Sequence, residues 1–339
     1  METVTQSGDR APIERIVVAG AGAWGTTLAL VALRAGHDVT LWVRNPADAE
    51  VLQADRRHPR SLTGVTLPDA LAIETDPDVA FRDATAVIIA VPTQALAHFA
   101  ESMRAHLAGK LLLVASKGIT IAGTKLPTDV LSDLLDAPIV PISGPNLALE
   151  IAQGKPAASV VAHVDAAIAQ RAQHLLHSSS FRVYTSSDPI GVQVGGALKN
   201  VIAIAAGIAE GLDVGDNAKA SLMTRGIAEI ARLGGAMGAQ PGTFSGLSGL
   251  GDLMATCMSH LSRNVRVGLA LAAGTSLDDI MAAQLETAEG IATTRAVLPL
   301  AASLGVELPI AAQVARVLFE GLAPADGIAA LMGRDPRGE

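Results

Sequence analysis

The sequence contains a single cysteine, few aromatic residues and no block of basic residues. The cysteine is Cys257, so no disulfide can form within the chain, and we expect neither a cysteine–histidine cluster nor another metal site. A lone cysteine is typical of a reducing compartment, which predicts a cytoplasmic protein. The net charge of −8, without a basic cluster, gives no indication of a nucleic-acid partner.

The low aromatic content also limits how the core is built. Aromatic residues make up 2% of the 339 residues and hydrophobic residues 50%, so the core must consist mainly of alanine, valine, leucine and isoleucine. Such side chains suit parallel strands and closely packed helices. A chain of this length predicts about two domains.

No apolar run is long enough to predict a membrane span. The most apolar run covers residues 194–209, which is shorter than the roughly 20 residues of a spanning helix. It also contains Lys199 and Asn200, so we expect a buried helix and no stable membrane insertion. Residues 1–13 are polar and include acidic residues, unlike a signal or transit peptide, and predict a disordered tail.

Residues 14–190 alternate between short apolar runs and helical patterns. Seven runs are predicted as strands: 14–19, 38–43, 86–90, 111–115, 139–142, 158–162 and 182–184. The alternation predicts an α/β, Rossmann-type domain with a doubly wound, mostly parallel sheet, in which ligands bind beyond the carboxyl ends of the strands. From about Pro189 the patterns are helical, which predicts an all-helical substrate-binding domain over residues 191–335. The cleft between two such domains is a natural active site.

The segment GAGAWG at residues 20–25 follows the first predicted strand and opens a helical pattern. In a dinucleotide-binding loop, Gly20 would allow the tight turn, Gly22 the approach of a pyrophosphate, and Gly25 the close packing of helix on strand. The alternative is a glycine-rich turn without a ligand. The second strand ends at Arg44 with no acidic residue at its tip, so we expect NADPH to be preferred and NADH to be possible. An arginine that only stacks on the adenine is the alternative.

Two charged residues stand in apolar or glycine-rich surroundings. Lys199 lies in GGALKNVI, where burial would disfavour the charged ammonium and allow proton exchange near neutral pH. The alternative is a lysine that extends to solvent from a helix end. Asp252 follows GLSGLG and precedes a helical pattern, so it either caps a helix or belongs to an active site.

Further polar residues could bind an anionic substrate. Ser262, Arg263 and Asn264 combine a hydroxyl, a guanidinium and an amide, a set that can hold a phosphate group. An ordinary solvated helix start is the alternative. Lys117 follows a predicted strand at the sheet edge where a substrate would bind, although a surface turn would explain it equally well.

Together these segments resemble the bacterial NAD(P)-dependent glycerol-3-phosphate dehydrogenases over about residues 16–334. The similarity rests on GAGAWGTTLA, VPTQA, SKGI and SGPNLALEIAQGKPAA, and on GGALKN, GDNAKASLMTRG, GLSGLGDL, LSRNVRVG and AEGIATT further along the chain. The order GAGAWG, GGALKN, GLGDL and SRN is highly specific. The resemblance implies an oxidoreductase that reduces dihydroxyacetone phosphate, a phosphorylated triose, to sn-glycerol 3-phosphate for glycerophospholipid synthesis. It also implies a homodimer.

The resemblance further implies roles for individual residues. Lys199 matches the family's proton donor and acceptor, Lys117 a lysine close to nicotinamide and substrate, and Asp252 a residue of the same pocket, which makes these three the catalytic candidates. The substrate-binding candidates are Lys117, Gly144, Asn146, Lys199, Asp252, Ser262, Arg263 and Asn264. With the three loop glycines, the cofactor-binding candidates are Gly20, Gly22, Ala23, Trp24, Gly25, Arg44, Lys117, Ala148, Arg263 and Glu289.

Two segments depart from the usual pattern of the family. Asn146 and Leu147 stand where a serine or threonine and a phenylalanine are usual, and residues 58–64 (HPRSLTG) depart from the usual asparagine, tyrosine and proline positions. Two other functions remain open. One is a related dehydrogenase, such as a β-hydroxyacid dehydrogenase or a ketopantoate reductase, and the other is a catalytically silent NADPH-binding sensor.

Overall fold

The computed structural model describes residues 12–283 and 288–333. Most of the predicted tail at residues 1–13, and the end of the predicted helical domain, lie outside the described residues. The strands are β1 Arg15–Ala19, β2 Asp38–Trp42, β3 Ala72–Glu74, β4 Ala86–Ile89, β5 Leu111–Val114, β6 Ile139–Ser143, β7 Ala157–Ala162 and β8 Phe181–Ser186.

Helices connect and follow these strands. Those between the strands are α1 Ala23–Arg34, α2 Pro46–Asp55, α3 Pro77–Ala80, α4 Leu96–Ser102, α5 Arg104–Leu107, α6 Pro127–Ser132, α7 Ala148–Ala152 and α8 Ala166–His174. Those after the last strand are α9 Pro189–Gly211, α10 Asp216–Ala236, α11 Asp252–Cys257, α12 Arg263–Ala272, α13 Leu277–Ala283, α14 Glu289–Ser303, α15 Pro309–Phe319 and α16 Pro324–Met332. Short 3₁₀ turns cover Thr93–Ala95 and Pro241–Ser245, and a π-helical turn covers Leu247–Gly251.

The eight strands form one sheet in the order β3-β2-β1-β4-β5-β6-β7-β8. Every neighbouring pair is parallel except β6 and β7, which are antiparallel. All residues of β4 and β5 are buried, as expected for apolar strands covered by helices on both faces. The predicted Rossmann-type, mostly parallel sheet is confirmed. Since β1, β4, β5 and β6 are neighbours, their carboxyl ends lie along one edge of the sheet.

All seven predicted strands are present, and one strand was missed. Strand β3 has three residues, pairs only with β2 at the edge of the sheet, and has no buried residue. The hydrophobic pattern that identifies the inner strands is therefore absent from it.

Within the described residues from Pro189 onward, the regular elements are helices and helical turns. The centre of this part is α9, which packs against α10, α11, α12 and α14. The apolar run noted at residues 194–209 belongs to this longer helix of 23 residues, which by length and composition alone could cross a membrane. However, 94% of its most apolar window is buried inside the protein, so its apolar surface is already covered.

Asp188 fastens the start of α9 to the segment before the π-helical turn. Its Oδ1 accepts a hydrogen bond from the Gly191 amide at 2.9 Å and so caps α9. Its Oδ2 accepts from the Gln240 amide at 2.9 Å and from the Thr243 hydroxyl at 2.6 Å. Asp188 is 4% exposed, so water could not easily replace its carboxylate as the acceptor for these donors.

We expect Asp188→Ala to lower the free energy of unfolding by about 2–4 kcal/mol, because it removes a cap and leaves one buried and two partly buried donors without their acceptor. Urea denaturation would measure this loss. Asp165→Ala is the matched control, since Asp165 caps α8 from an exposed position, and should cost about 1 kcal/mol. Equal losses in the two variants would contradict the bridging role of Asp188.

Candidate active site

A buried carboxylate between two lysines forms the centre of the site. The Asp252 side chain is fully buried, whereas those of Lys199 and Lys117 are 8% and 13% exposed. Lys199 Nζ donates to Asp252 Oδ1, and Lys117 Nζ donates to Asp252 Oδ2 at 2.9 Å. The structure thus brings together the three residues that the sequence analysis selected as catalytic candidates.

Three different parts of the chain supply these side chains. Lys199 lies near the middle of α9, so the alternative of a lysine at a helix end does not apply. Lys117 follows β5 at the carboxyl edge of the sheet. Asp252 begins α11 directly after the π-helical turn, but its carboxylate accepts from the two lysines and does not cap the helix. π-helical turns are rare in proteins, and those that occur are often found at functional sites.

Several further hydrogen bonds fix the two ammonium groups. Lys199 Nζ also donates to Thr256 Oγ1 at 2.9 Å. Lys117 Nζ also donates to the Gly144 carbonyl at 3.0 Å and to Asn146 Oδ1 at 3.4 Å. Thr256 was not selected from the sequence, although it lies one helical turn after Asp252, where a side chain faces the same direction.

Asn146 stands where a serine or threonine hydroxyl was expected from the resemblance, and a hydrogen bond holds its amide in place. Its Nδ2 donates to Ser159 Oγ on β7 at 2.7 Å, which leaves Oδ1 directed at Lys117. The departure from the family pattern at this position is therefore accommodated by a polar partner on the neighbouring strand.

The charges of the cluster do not cancel. Burial lowers the pKa of Lys117 to about 8, and the nearby charge of Lys199 acts in the same direction, while Asp252 opposes both. With both lysines protonated and Asp252 ionised, the group carries one net positive charge. A buried site of that kind attracts an anion.

Residues 262–264 lie at the start of α12, which packs against α9, the helix that carries Lys199. Ser262 Oγ accepts from the Val265 amide at 3.3 Å and so caps α12. Asn264 Nδ2 donates to Asn200 Oδ1 at 2.9 Å, and Asn264 Oδ1 accepts from the Gly290 amide at 3.1 Å. The Asn200 amide in turn donates to the Lys117 carbonyl at 3.4 Å. Asn264 thus links α12, α9 and α14 to the segment that carries Lys117.

The glycine loop has the shape expected of a dinucleotide site. Gly20 has a φ of 114°, and a Cβ there would lie 2.6 Å from the Ala90 carbonyl oxygen. A Cβ at Gly25 would overlap the Gly20 carbonyl, so close packing requires this glycine as well. A Cβ at Gly22 would meet no protein atom within 4 Å, so it would project into the space where a pyrophosphate would lie. The buried Trp24 Nε1 has no partner among the described residues.

A second cluster of polar atoms surrounds Gly118, next to Lys117. A Cβ at this position would lie 2.8 Å from Thr93 Oγ1, 3.0 Å from Glu289 Oε2 and 3.2 Å from Thr293 Oγ1. All three oxygens are buried and lack a hydrogen-bond partner of good geometry among the described residues. Buried polar atoms without partners point to a ligand. Together with the glycine loop, they fit a dinucleotide whose polar end group reaches the edge of β4 and β5.

Glu289 is placed by contacts that span the chain. Its Oε1 accepts from the Thr93 amide at 2.9 Å, at the end of β4. Burial raises the pKa of Glu289, while Thr93 and the charge of Arg263 act in the opposite direction. Arg263 and Glu289 directly precede Asn264 and Gly290, which share a hydrogen bond, so these two cofactor candidates begin neighbouring helices.

Three other cofactor candidates belong to elements next to the glycine loop. Arg44 is exposed and follows β2, next to the strand that leads into the glycine loop. Ala148 begins α7, and its carbonyl accepts from Thr27 Oγ1 on α1 at 3.1 Å. Ala23 is partly buried at the start of α1.

Comparisons with known proteins agree with this arrangement. Residues 15–169 match the family model described as the NAD-dependent glycerol-3-phosphate dehydrogenase N-terminus, and residues 188–329 match that of its C-terminus. A glycerol-3-phosphate dehydrogenase [NAD(P)+] of Methylibium petroleiphilum is 47% identical over 330 residues, or 96% of this chain and 98% of the relative. One of Streptomyces griseus is 44% identical over 329 residues, or 96% and 98%.

Solved structures give the same result. The glycerol-3-phosphate dehydrogenase of Coxiella burnetii superposes with a TM-score of 0.91 at 36% identity, covering 95% of this chain and 99% of that one. A ketopantoate reductase of Ralstonia eutropha, at 15% identity and a TM-score of 0.58, shares the fold alone. The resemblance carried by the motifs is confirmed, and the chain belongs to the NAD-dependent glycerol-3-phosphate dehydrogenase family.

Proposed function

We propose that this protein reduces dihydroxyacetone phosphate to sn-glycerol 3-phosphate with a reduced nicotinamide cofactor, and catalyses the reverse reaction. The observation that carries the proposal is the buried Lys199–Asp252–Lys117 cluster, at the same edge of the sheet as the glycine loop. It offers a proton donor, a second cation and a carboxylate that holds both. Those are the groups that a carbonyl needs as it becomes an alcohol.

The substrate phosphate would be bound by the segment at the start of α12. Arg263 can contact a phosphate through two parallel N–H groups. Asn264 uses one of its two amide hydrogens on Asn200 and has a second for the phosphate. Ser262 accepts from the helix backbone and can still donate its hydroxyl proton. The net positive charge of the lysine cluster favours the same anionic substrate.

When bound, a reduced nicotinamide would supply the hydride to C2 of the ketone. Negative charge then develops on the carbonyl oxygen, and Lys199 Nζ donates a proton to it. Lys117 stabilises the developing charge, and Gly144 and Asn146 hold its ammonium in place. Asp252 orients both lysines. Each pre-placed donor can contribute roughly 2–4 kcal/mol to the transition state. In the reverse reaction Lys199 accepts the proton.

NADPH would be the preferred cofactor, with NADH also accepted. The support is Arg44, an exposed cation at the tip of β2 where an NAD-selective fold usually places an acidic residue. The family resemblance supports a cytoplasmic homodimer whose product enters glycerophospholipid synthesis.

An absorbance assay at 340 nm tests the proposal. We expect NADPH oxidation with dihydroxyacetone phosphate, slower oxidation of NADH, and no turnover of ketopantoate or other non-phosphorylated keto acids. Turnover of those acids would instead support a related dehydrogenase. Tight NADPH binding without any turnover would support the sensor hypothesis and overturn the enzymatic one.

We expect Lys199→Ala to reduce kcat about 10²-fold or more, because the proton donor is lost while Lys117 still partners Asp252. Steady-state kinetics would measure the loss, with NADPH binding and urea denaturation as checks on the fold. Lys155→Ala is the control, since Lys155 is an exposed lysine paired with Glu150 at 3.2 Å, and should leave kcat unchanged. Near-normal turnover of Lys199→Ala would refute its role as the acid.

A further inference from the structure

His58 connects the unusual segment at residues 58–64 to the glycine loop. The imidazole is buried, with 8% exposure, and its Nε2 lies 2.9 Å from the Ala21 carbonyl oxygen. Ala21 stands between Gly20 and Gly22, in the loop where the pyrophosphate would bind. The segment that departs from the family pattern therefore touches the cofactor loop directly.

The local hydrogen bonds define which ring nitrogen carries the proton. Nδ1 accepts from the Ser61 amide at 3.1 Å and from the Arg60 amide at 3.3 Å, and the Ser61 hydroxyl, which can also donate to it, lies 2.9 Å away. A nitrogen that accepts from backbone amides has no proton of its own, so in the neutral ring the proton is on Nε2. Nε2 is then the donor, and the Ala21 carbonyl is its acceptor.

The segment that carries His58 is anchored at two positions that follow the histidine. Arg60 forms two parallel hydrogen bonds with Asp48 of α2, each 2.8 Å long. Leu62, 5% exposed, belongs to the core cluster that also contains α1. His58 therefore contacts the glycine loop from a fixed position.

The contact controls one peptide group. In a trans peptide the Ala21 carbonyl and the Gly22 N–H point in opposite directions, so fixing one aims the other. This plane turns with ψ of Ala21 and φ of Gly22, and the glycine makes the rotation easier because it accepts most backbone angles. A hydrogen bond to the Ala21 carbonyl restrains this peptide plane and with it the direction of the Gly22 N–H. The space beside Gly22 is open, since a Cβ there would meet no protein atom within 4 Å.

We propose that His58 is a positioning residue for the cofactor: it donates to Ala21 and holds the Gly22 amide toward the pyrophosphate of the bound dinucleotide. The inference rests on the dinucleotide binding of the proposed function. According to this proposal, residues 58–64 affect the affinity for the cofactor and take no part in the chemical step.

Three substitutions test the contributions of the two ring nitrogens separately. His58→Gln places an amide nitrogen where Nε2 is and keeps the donor to Ala21. His58→Asn places an amide oxygen where Nδ1 is and keeps only the acceptor for the local turn. His58→Ala removes both. His163→Gln is the matched control, because His163 Nδ1 also accepts from a backbone amide two residues ahead, that of Asp165 at 3.0 Å, on β7's exit loop.

The measurements are the NADPH dissociation constant by calorimetry and the KM for NADPH and kcat with saturating dihydroxyacetone phosphate. We expect His58→Ala and His58→Asn to raise the dissociation constant and KM about fivefold, as for one lost hydrogen bond, with kcat at saturating cofactor within about twofold of the wild type. His58→Gln and His163→Gln should bind NADPH like the wild type.

Two results would overturn the inference alone: unchanged NADPH binding in His58→Ala and His58→Asn, or binding in His58→Gln as weak as in His58→Ala. The second result would mean that His58 acts only through its own turn. Failure of the wild-type protein to bind NADPH would overturn the proposed function, and this inference with it.

Discussion

The Asp252 carboxylate, buried between Lys199 and Lys117, is the interaction on which the rest of the site depends. Removing three charges from water costs several kcal/mol for each ion, and only close opposite charges and hydrogen bonds offset that cost. The three partners come from α9, α11 and the end of β5, so the cluster is complete only when the helical part packs on the sheet edge. The lysine–aspartate cluster is therefore formed only when these two parts of the chain are docked.

Other polar side chains near the cluster also join elements that are far apart in the sequence. Asn264 joins α12 to α14 and, through Asn200, to the backbone of Lys117. Glu289 joins α14 to the end of β4. Asp188 fixes the start of α9 to the segment that leads to Asp252. Each of these side chains connects separate elements, which holds the lysines at fixed positions relative to the cofactor loop.

Much of the fold followed from local patterns, whereas parts of the site did not. The inner strands β4 and β5 are wholly apolar and were predicted, but the short edge strand β3 lacks that pattern. Asp252 could be read locally as a helix cap, and only the positions of two distant lysines show what its carboxylate binds. Thr93 and Glu289 are 196 residues apart, and no spacing rule brings them together around Gly118. Likewise, the departure at residues 58–64 was visible in the sequence, but its contact with Ala21 required the fold.

The central claim is that a buried, positively charged Lys117 assists reduction, and a pH profile tests it most directly. Because burial lowers its pKa to about 8, Lys117 loses its charge as the pH rises through that value. We expect kcat/KM for dihydroxyacetone phosphate reduction to fall above about pH 8 in the wild type. In Lys117→Arg, whose guanidinium stays charged, activity should be lower overall, and its fall should begin at a higher pH than in the wild type. A flat wild-type profile, or the same fall in Lys117→Arg, would contradict the account.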